Sequence, residues 1–151
     1  MTRRTKKTII LSILGLAAIG ISIGLYFFYK GPVCVSCTSG KKVSSTVLYQ
    51  AFLNDSITAR KEYSSNARTD KILEVSGLVT QVSQNTQNQA FILLKTAVSG
   101  ASVNCTMEGP VEKTKEGDTI IIKGICIGLN GGDADLGISG DVYLTRCYIT
   151  K

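Results

Sequence analysis

Five cysteines and the complete lack of histidine decide which chemistry this 151-residue chain could perform. Without histidine there is no Ser/His or Cys/His nucleophilic pair, no His-ligated metal site and no ordinary proton shuttle near neutral pH. Cys34 and Cys37 form a CxxC pair, which could be a redox pair, half of a metal site or a small local disulfide. No second CxxC completes a four-thiolate zinc site. We therefore predict a local, unspecific thiol pair, with a thiol-redox protein as the lower alternative.

The other three cysteines, Cys105, Cys126 and Cys147, lie in separate runs of apolar and β-branched residues. Strand alternation turns all three inward, provided that a bulge near Thr145 and Arg146 reverses the phase of the last run. We expect structural thiols, and the alternative is a disulfide from Cys147 to Cys105 or Cys126 in an oxidising compartment. Catalysis is not expected, because no neighbour in the sequence supplies a general base.

Three acidic residues of the glycine-rich segment 129–141 invite comparison with a calcium site: Asp133, Asp135 and Asp141. Calcium loops need a further oxygen ligand and a bidentate glutamate, which this segment lacks. A solvated Gly/Asp turn accounts for the pattern. We therefore predict no metal site, no cofactor and no enzymatic activity.

An uncharged run of 22 residues spans positions 8–29. As a helix it would extend about 33 Å, enough to cross the hydrocarbon core of a bilayer. Aromatic residues at 26–29 are typical of a membrane interface, and four basic residues precede the run within positions 1–7. We predict a single transmembrane helix over 8–29 in the cytoplasmic (inner) membrane. The N-terminus, 1–7, is then cytoplasmic and the remainder lies outside.

The net charge of +6 belongs mostly to this N-terminal segment. The first 30 residues carry five basic and no acidic residues, whereas the remainder has 12 basic and 11 acidic residues. A nearly neutral remainder argues against a nucleic-acid footprint. The alternative for the N-terminal segment is a cleaved signal peptide, but its apolar run is long and no small-x-small site closes it.

Two segments connect the predicted anchor to the rest of the chain. Residues 30–42 are rich in Gly, Ser and Lys, which predicts a short exposed linker. In 43–67 a capping serine precedes apolar residues at helical spacing, Leu48 and Phe52 among them. This pattern predicts an amphipathic helical segment, which we expect to pack against the domain that follows.

After Asp70 the pattern changes to short β-branched runs separated by turn residues, typical of an all-β barrel or sandwich. Gly77 and Gly124 interrupt two of these runs, and glycine tolerates the sharp coiling that a small barrel needs. We predict a mainly β fold with a five-stranded OB-fold barrel over 68–151. Its strands are predicted at 71–82, 90–96, 102–108, 119–128 and 142–150.

Three strings of this region carry a family resemblance: LYQAFLND at 48–55, EVSG at 74–77 and GDTIIIKGICIG at 117–128. With them the chain resembles, from about residue 45 to 151, the tRNA-anticodon-binding-like OB-fold family, whose members are bacterial and often membrane-anchored. The resemblance implies the barrel but no particular activity, because OB barrels bind many kinds of ligand.

Two segments look longer than is usual for this family, 64–70 and 129–141. The second joins the last two predicted strands and is one of the two loops with which OB folds contact ligands. We expect the specificity of this member to differ there.

Strand alternation also defines a candidate ligand face. If Ile92 and Leu94 point inward, Phe91, Leu93 and Lys95 share the outer face of the second predicted strand. The alternative is that these three residues pack under the N-terminal helices. We predict a membrane-anchored extracytoplasmic binding module for a protein or small ligand. A single-stranded nucleic-acid binding protein is the alternative, since this face is the minimum that such a site could use.

Overall fold

The structure is a computed structural model of the chain and describes residues 3–29, 33–66, 70–111, 113–132 and 139–150. It divides into two compact units, Met1–Val33 and Cys34–Lys151. The predicted positions Asp133 and Asp135 lie outside the described residues.

The first unit contains one helix, α1, over Arg3–Tyr29. Its described side chains from residue 15 onward are exposed, including Ile21 at 63% and Phe28 at 83%. A search of the described residues for a helix with the length and hydropathy of a membrane span finds none. The helix is present where the sequence predicts one, and its relation to a bilayer stays a prediction.

Five strands of the second unit close into a barrel. In chain order, after a short strand described below, they are β2 (Ile72–Gln84), β3 (Ala90–Lys95), β4 (Ser102–Met107), β5 (Thr119–Asn130) and β6 (Asp141–Thr150). They follow the order β2-β3-β4-β6-β5, and a second pairing of β2 with β5 closes the ring. All pairings are antiparallel except that of β4 with β6. The predicted five-stranded OB barrel is confirmed, with the last strand between the third and the fourth barrel strands.

The segment predicted as an exposed linker, residues 30–42, is partly structured. Residues Lys41–Ser44 form strand β1, which pairs in parallel with β2 from Lys41 opposite Leu73. Val35 is 1% exposed and packs against Ile72 and Ile125. The segment is held because it buries an apolar side chain and satisfies its backbone groups on a barrel strand.

Two short helices follow β1 and cover the barrel. They are α2 (Ser45–Asn54), capped by Ser44, and α3 (Ser56–Tyr63), capped by Asp55. Leu48 and Phe52 are buried in the barrel core, as the helical spacing predicts. Because α2 contacts β2, β3, β4 and β5 in addition to β1, it closes one end of the barrel.

Strand β2 changes its partner just after Gly77, and β6 has the predicted bulge. Strand β2 pairs with β5 up to Leu78 and with β3 from Val79, and Gly77 precedes this change of partner. In β6, Tyr148 and Thr145 lie opposite Lys123 and Ile125 of β5, so β6 has one extra residue there. Arg146 lies in this bulge and has a left-handed backbone conformation, with φ of 53°.

The cap of α3 gives a pH-dependent prediction. One carboxylate oxygen of Asp55 accepts hydrogen bonds from the N–H groups of Ile57 and Thr58, and the other accepts one from the Thr58 hydroxyl. The Thr58 hydroxyl, followed by the backbone N–H of Thr58, lowers the Asp55 pKa. A lowered pKa stabilises the fold above the unfolded value of about 4, and this contribution is lost as pH falls further.

Asp55→Asn keeps an oxygen that can cap the helix but removes the titration. We expect the stability advantage of the parent over D55N to shrink as pH is lowered from 7 to below about 4, as measured by urea unfolding. An advantage that stays constant over this range would contradict the prediction.

Candidate ligand-binding face

The CxxC pair forms a disulfide in a tight turn. Cys34 and Cys37 are bonded, and the Thr38 backbone N–H and hydroxyl donate to the Cys34 carbonyl at 3.2 and 2.9 Å. The turn presents Val35, between the two cysteines, to the barrel. No helix begins at this turn, so the residues lack the helix N-terminus that typically lowers the pKa of a redox CxxC thiol.

The three strand cysteines are buried and unbonded, in agreement with the structural-thiol expectation. A hydrogen bond with Cys147, followed by burial, raises the Cys105 pKa well above its usual range. Burial raises the Cys126 pKa to about 11. Protonated, inaccessible thiols are poor nucleophiles, so the cluster acts as packing in the barrel core.

The cations nearest to these thiols in the sequence point away from them, as strand alternation predicts. Lys123 lies 3.5 Å from the carboxylate of Glu74, and Arg146 lies 3.3 Å from that of Glu108. All four side chains are on the outside of the barrel, so neither cation can stabilise a thiolate inside it.

Strand β3 places the predicted ligand face on the outside of the barrel. Ile92 and Leu94 are fully buried, Phe91 and Leu93 are partly exposed, and Lys95 is exposed. The alternation is therefore as the sequence predicts. That this face binds a ligand stays a prediction.

Neighbouring strands extend this face into two cross-strand rows. Leu93 lies opposite Asn104 of β4, which lies beside Tyr143 of β6. In the next row, Lys95 lies opposite Ser102. We call the outer surface formed by residues 91, 93, 95, 102, 104, 141 and 143 the ligand face.

Asp141 joins β4 to β6 at the edge of the ligand face. Its Oδ1 accepts hydrogen bonds from the backbone N–H and the hydroxyl of Ser102, both at 2.8 Å. These bonds hold the start of β6 against the start of β4. The Asp141 carboxylate therefore has a structural role in holding two strands together, and no calcium ion has to be invoked for it.

A groove of about 600 Å³ adjoins the ligand face at the hairpin between β3 and β4. Leu93, Lys95 and Asp141 line it on the barrel side, together with Thr80 and residues 96–102. The Thr96 hydroxyl donates to the carbonyls of Val98 and Ala101 and so shapes the hairpin loop. One ammonium, one carboxylate and several hydroxyls surround the groove, so it offers both donors and acceptors with little net charge.

Asn104, in the centre of the ligand face, has a side-chain oxygen without a hydrogen-bond partner. Its Oδ1 is buried and has no hydrogen-bond partner among the described residues. A buried polar atom without a partner destabilises a fold, and most such atoms in proteins are satisfied. Asn104 lies on the outer side of β4, so a donor from a bound molecule could satisfy this oxygen once the side chains that cover it move aside.

Asn104→Leu tests whether the unpartnered oxygen destabilises the fold. Replacing the amide, and with it the unpartnered oxygen, by an apolar side chain of similar shape should raise the free energy of unfolding by about 1 kcal/mol in urea titrations without ligand. Thr106→Val, two positions along the same strand, is the control and should change stability by less than about 0.5 kcal/mol. A destabilised N104L would show that the amide is satisfied in the folded protein.

The structure brings together two of the three residues predicted for the face, Leu93 and Lys95, at the groove. Phe91 lies on the same side of β3 but beside Thr106, outside the groove lining. Sequence reasoning missed Asn104 as a site residue. Its signal was available, because an inward-facing Val103 and Cys105 require the residue between them to face outward.

Comparison with known proteins agrees with this architecture. A family model described as tRNA_anti-like matches residues 3–136, from the start of α1 into the segment between β5 and β6. Among curated proteins, none matches the chain. The family model covers well over half of the sequence, and the structure has the closed OB barrel that the resemblance implied. The chain therefore belongs to the tRNA_anti-like family.

Proposed function

We propose that this protein is a membrane-anchored binding module whose barrel binds a protein or small ligand on the ligand face, outside the cytoplasm. The observation that carries the binding proposal is the unpartnered Asn104 Oδ1 on an outer face that adjoins a groove of about 600 Å³. A chemical reaction is not part of the proposal, because the buried thiols are held protonated and the chain has no histidine.

Anchoring through α1 is supported by the sequence and by the surface of the helix. The uncharged run 8–29 follows four basic residues, which favours a cytoplasmic N-terminus. Apolar side chains such as Ile21 and Phe28 are exposed in this unit, and a bilayer would remove them from water. The Cys34–Cys37 disulfide also suits an oxidising compartment.

The charges of the ligand face favour an uncharged or zwitterionic ligand. Lys95 is balanced by Asp141 at the groove, and the described face has no further ionisable group besides the phenol of Tyr143. Single-stranded nucleic acid requires several cations for its phosphates and aromatic platforms for its bases. Phe91 and Tyr143 could stack bases, but Lys95 is the single cation of the described face, so the match is poor. Nucleic-acid binding is therefore one of the outcomes that the test below distinguishes.

A site-specific photocrosslink tests the proposal in native membranes. A benzophenone amino acid at Leu93 should capture a molecule that the same group at Leu53, half-exposed on α2, does not capture. Adding N104L to the Leu93 probe should reduce the yield by about tenfold, as expected for one lost buried hydrogen bond to a ligand. Equal capture at the two positions, or no effect of N104L, would refute binding at this face. Nuclease-sensitive capture would instead support the nucleic-acid alternative.

A further inference from the structure

Five lysines lie near the start of the barrel unit in two neighbouring groups, one beside the end of α3 (Lys41, Lys61 and Lys71) and one beside Glu74 (Lys42 and Lys123). We call this region the basic surface; it consists of Lys41, Lys42, Lys61, Lys71 and Lys123. Lys42 lies opposite Glu74 of β2, and Glu74 lies opposite Lys123 of β5. Lys71 directly precedes Ile72, which contacts Val35 of the disulfide turn. The basic surface therefore lies next to the disulfide turn near the start of the second unit.

The acidic residues of this region are largely neutralised within it. Glu62 pairs with Lys41, whose ammonium also lies 4.7 Å from the Tyr63 ring centre. Glu74 accepts a hydrogen bond from the Gly40 N–H at 3.2 Å, and this bond lowers the Glu74 pKa. With Asp70 included, the region has five lysines and three carboxylates.

The remaining charges give the barrel unit two different sides. Outside the basic surface, the chain after residue 30 carries seven basic and eight acidic residues. The excess of positive charge is thus carried by β1, the residue before β2, β5 and the end of α3. The net charge of the chain after residue 30 is close to zero and does not reveal this uneven distribution.

A shallow recess of about 280 Å³ opens within the basic surface. Lys42 and Lys123 border it, with the carboxylate of Glu74 between them, the hydroxyls of Ser76 and Thr150, Val43 and the half-exposed Ile121. The Thr150 hydroxyl donates to the Ile121 carbonyl and Lys123 pairs with Glu74. The Lys42 ammonium and the Ser76 hydroxyl, beside the apolar Ile121, match the phosphate end of a lipid and the first carbons behind it.

We propose that the basic surface docks on an anionic lipid bilayer, with a lipid phosphate group at Lys42. This inference rests on the proposed anchoring by α1. Cys34 follows Tyr29 by five positions, a tether of at most about 18 Å. A tether this short keeps the local lipid concentration high, so a few lysines suffice to orient the barrel although they would bind weakly alone.

This docking would leave the ligand face open. In the ring order β2-β3-β4-β6-β5, strand β4 is opposite the seam where β2 pairs with β5. The basic surface lies at that seam, whereas Asn104 lies on β4. A barrel resting on its basic surface therefore directs the ligand face away from the lipid.

Lysine acetylation of the full chain in lipid nanodiscs tests this inference. A water-soluble acylating reagent should modify Lys42 and Lys61 about threefold more slowly in phosphatidylglycerol-containing discs than in phosphatidylcholine discs, and high salt should abolish the difference. Lys113 and Lys115, in the loop before β5, are the internal controls and should react equally in both. Lys71 belongs to the same surface and should be protected in the same way. Lys42→Gln with Lys61→Gln should remove this protection of Lys71, whereas Lys113→Gln with Lys115→Gln should not.

Equal acetylation rates in the two lipids would overturn the docking while leaving the anchor intact. Failure of the full chain to enter either disc would overturn the anchoring and the docking with it. Inorganic phosphate, added to phosphatidylcholine discs, should not reproduce the protection of Lys42; if it does, the recess binds free phosphate and the lipid assignment is wrong.

Discussion

Gly124→Ala is expected to lower the free energy of unfolding by about 2 kcal/mol in a urea titration. A Cβ at this position would lie 2.6 Å from Cys147 Sγ and 3.3 Å from Leu144 Cδ2 inside the barrel. Both neighbours are fully buried, so neither can move without disturbing the core. The glycine is thus required by the close approach of β6.

A second substitution tests this explanation directly. Cys147→Ala removes the sulfur that the new methyl group would meet, so Gly124→Ala should lower stability by less than about 0.5 kcal/mol in that background. A full, additive loss in the double variant would mean that backbone geometry at residue 124, and not contact with Cys147, requires glycine. Because Cys147 is not disulfide-bonded, its replacement removes no covalent link.

Phe52→Ala should lower the free energy of unfolding by about 4 kcal/mol, the largest effect that we expect. Phe52 is 1% exposed and belongs to the cluster that fills the barrel. Leu53, its neighbour on α2, is 52% exposed and supplies the matched control, for which Leu53→Ala should change stability by less than about 0.5 kcal/mol.

The contrast between these two variants measures whether α2 belongs to the barrel's cooperative unit. A single unfolding transition that moves with Phe52→Ala would show that the helix closes the core. Similar, small effects at Phe52 and Leu53 would contradict the packing of α2 against the barrel end. Circular dichroism and tyrosine fluorescence should report the same midpoint in either variant.

The barrel could be predicted from the sequence because its signals are local. Alternating apolar residues defined all five barrel strands to within two residues, and the phase change around Thr145 and Arg146 predicted the bulge. Strand β1 could not be predicted, because four residues with two lysines lack any alternation and form a strand only through parallel pairing with β2. The burial of Val35 likewise depends on Ile72, far away in the chain.

The candidate site was predictable only in part. The outward direction of Phe91, Leu93 and Lys95 followed from alternation on one strand, which needs no tertiary information. The groove, by contrast, depends on the hairpin loop 96–101 and on the Ser102–Asp141 hydrogen bonds between distant segments. Whether an amide such as Asn104 is satisfied depends on its neighbours on β3 and β6, which only the register reveals.

Protease accessibility in intact spheroplasts tests most directly whether the barrel is held outside the cytoplasmic membrane. The full chain would carry one epitope tag before Met1 and another after Lys151. We expect an added protease to remove the C-terminal tag from intact spheroplasts and to reach the N-terminal tag only after lysis. Removal of the tag before Met1, with the tag after Lys151 protected, would contradict the account.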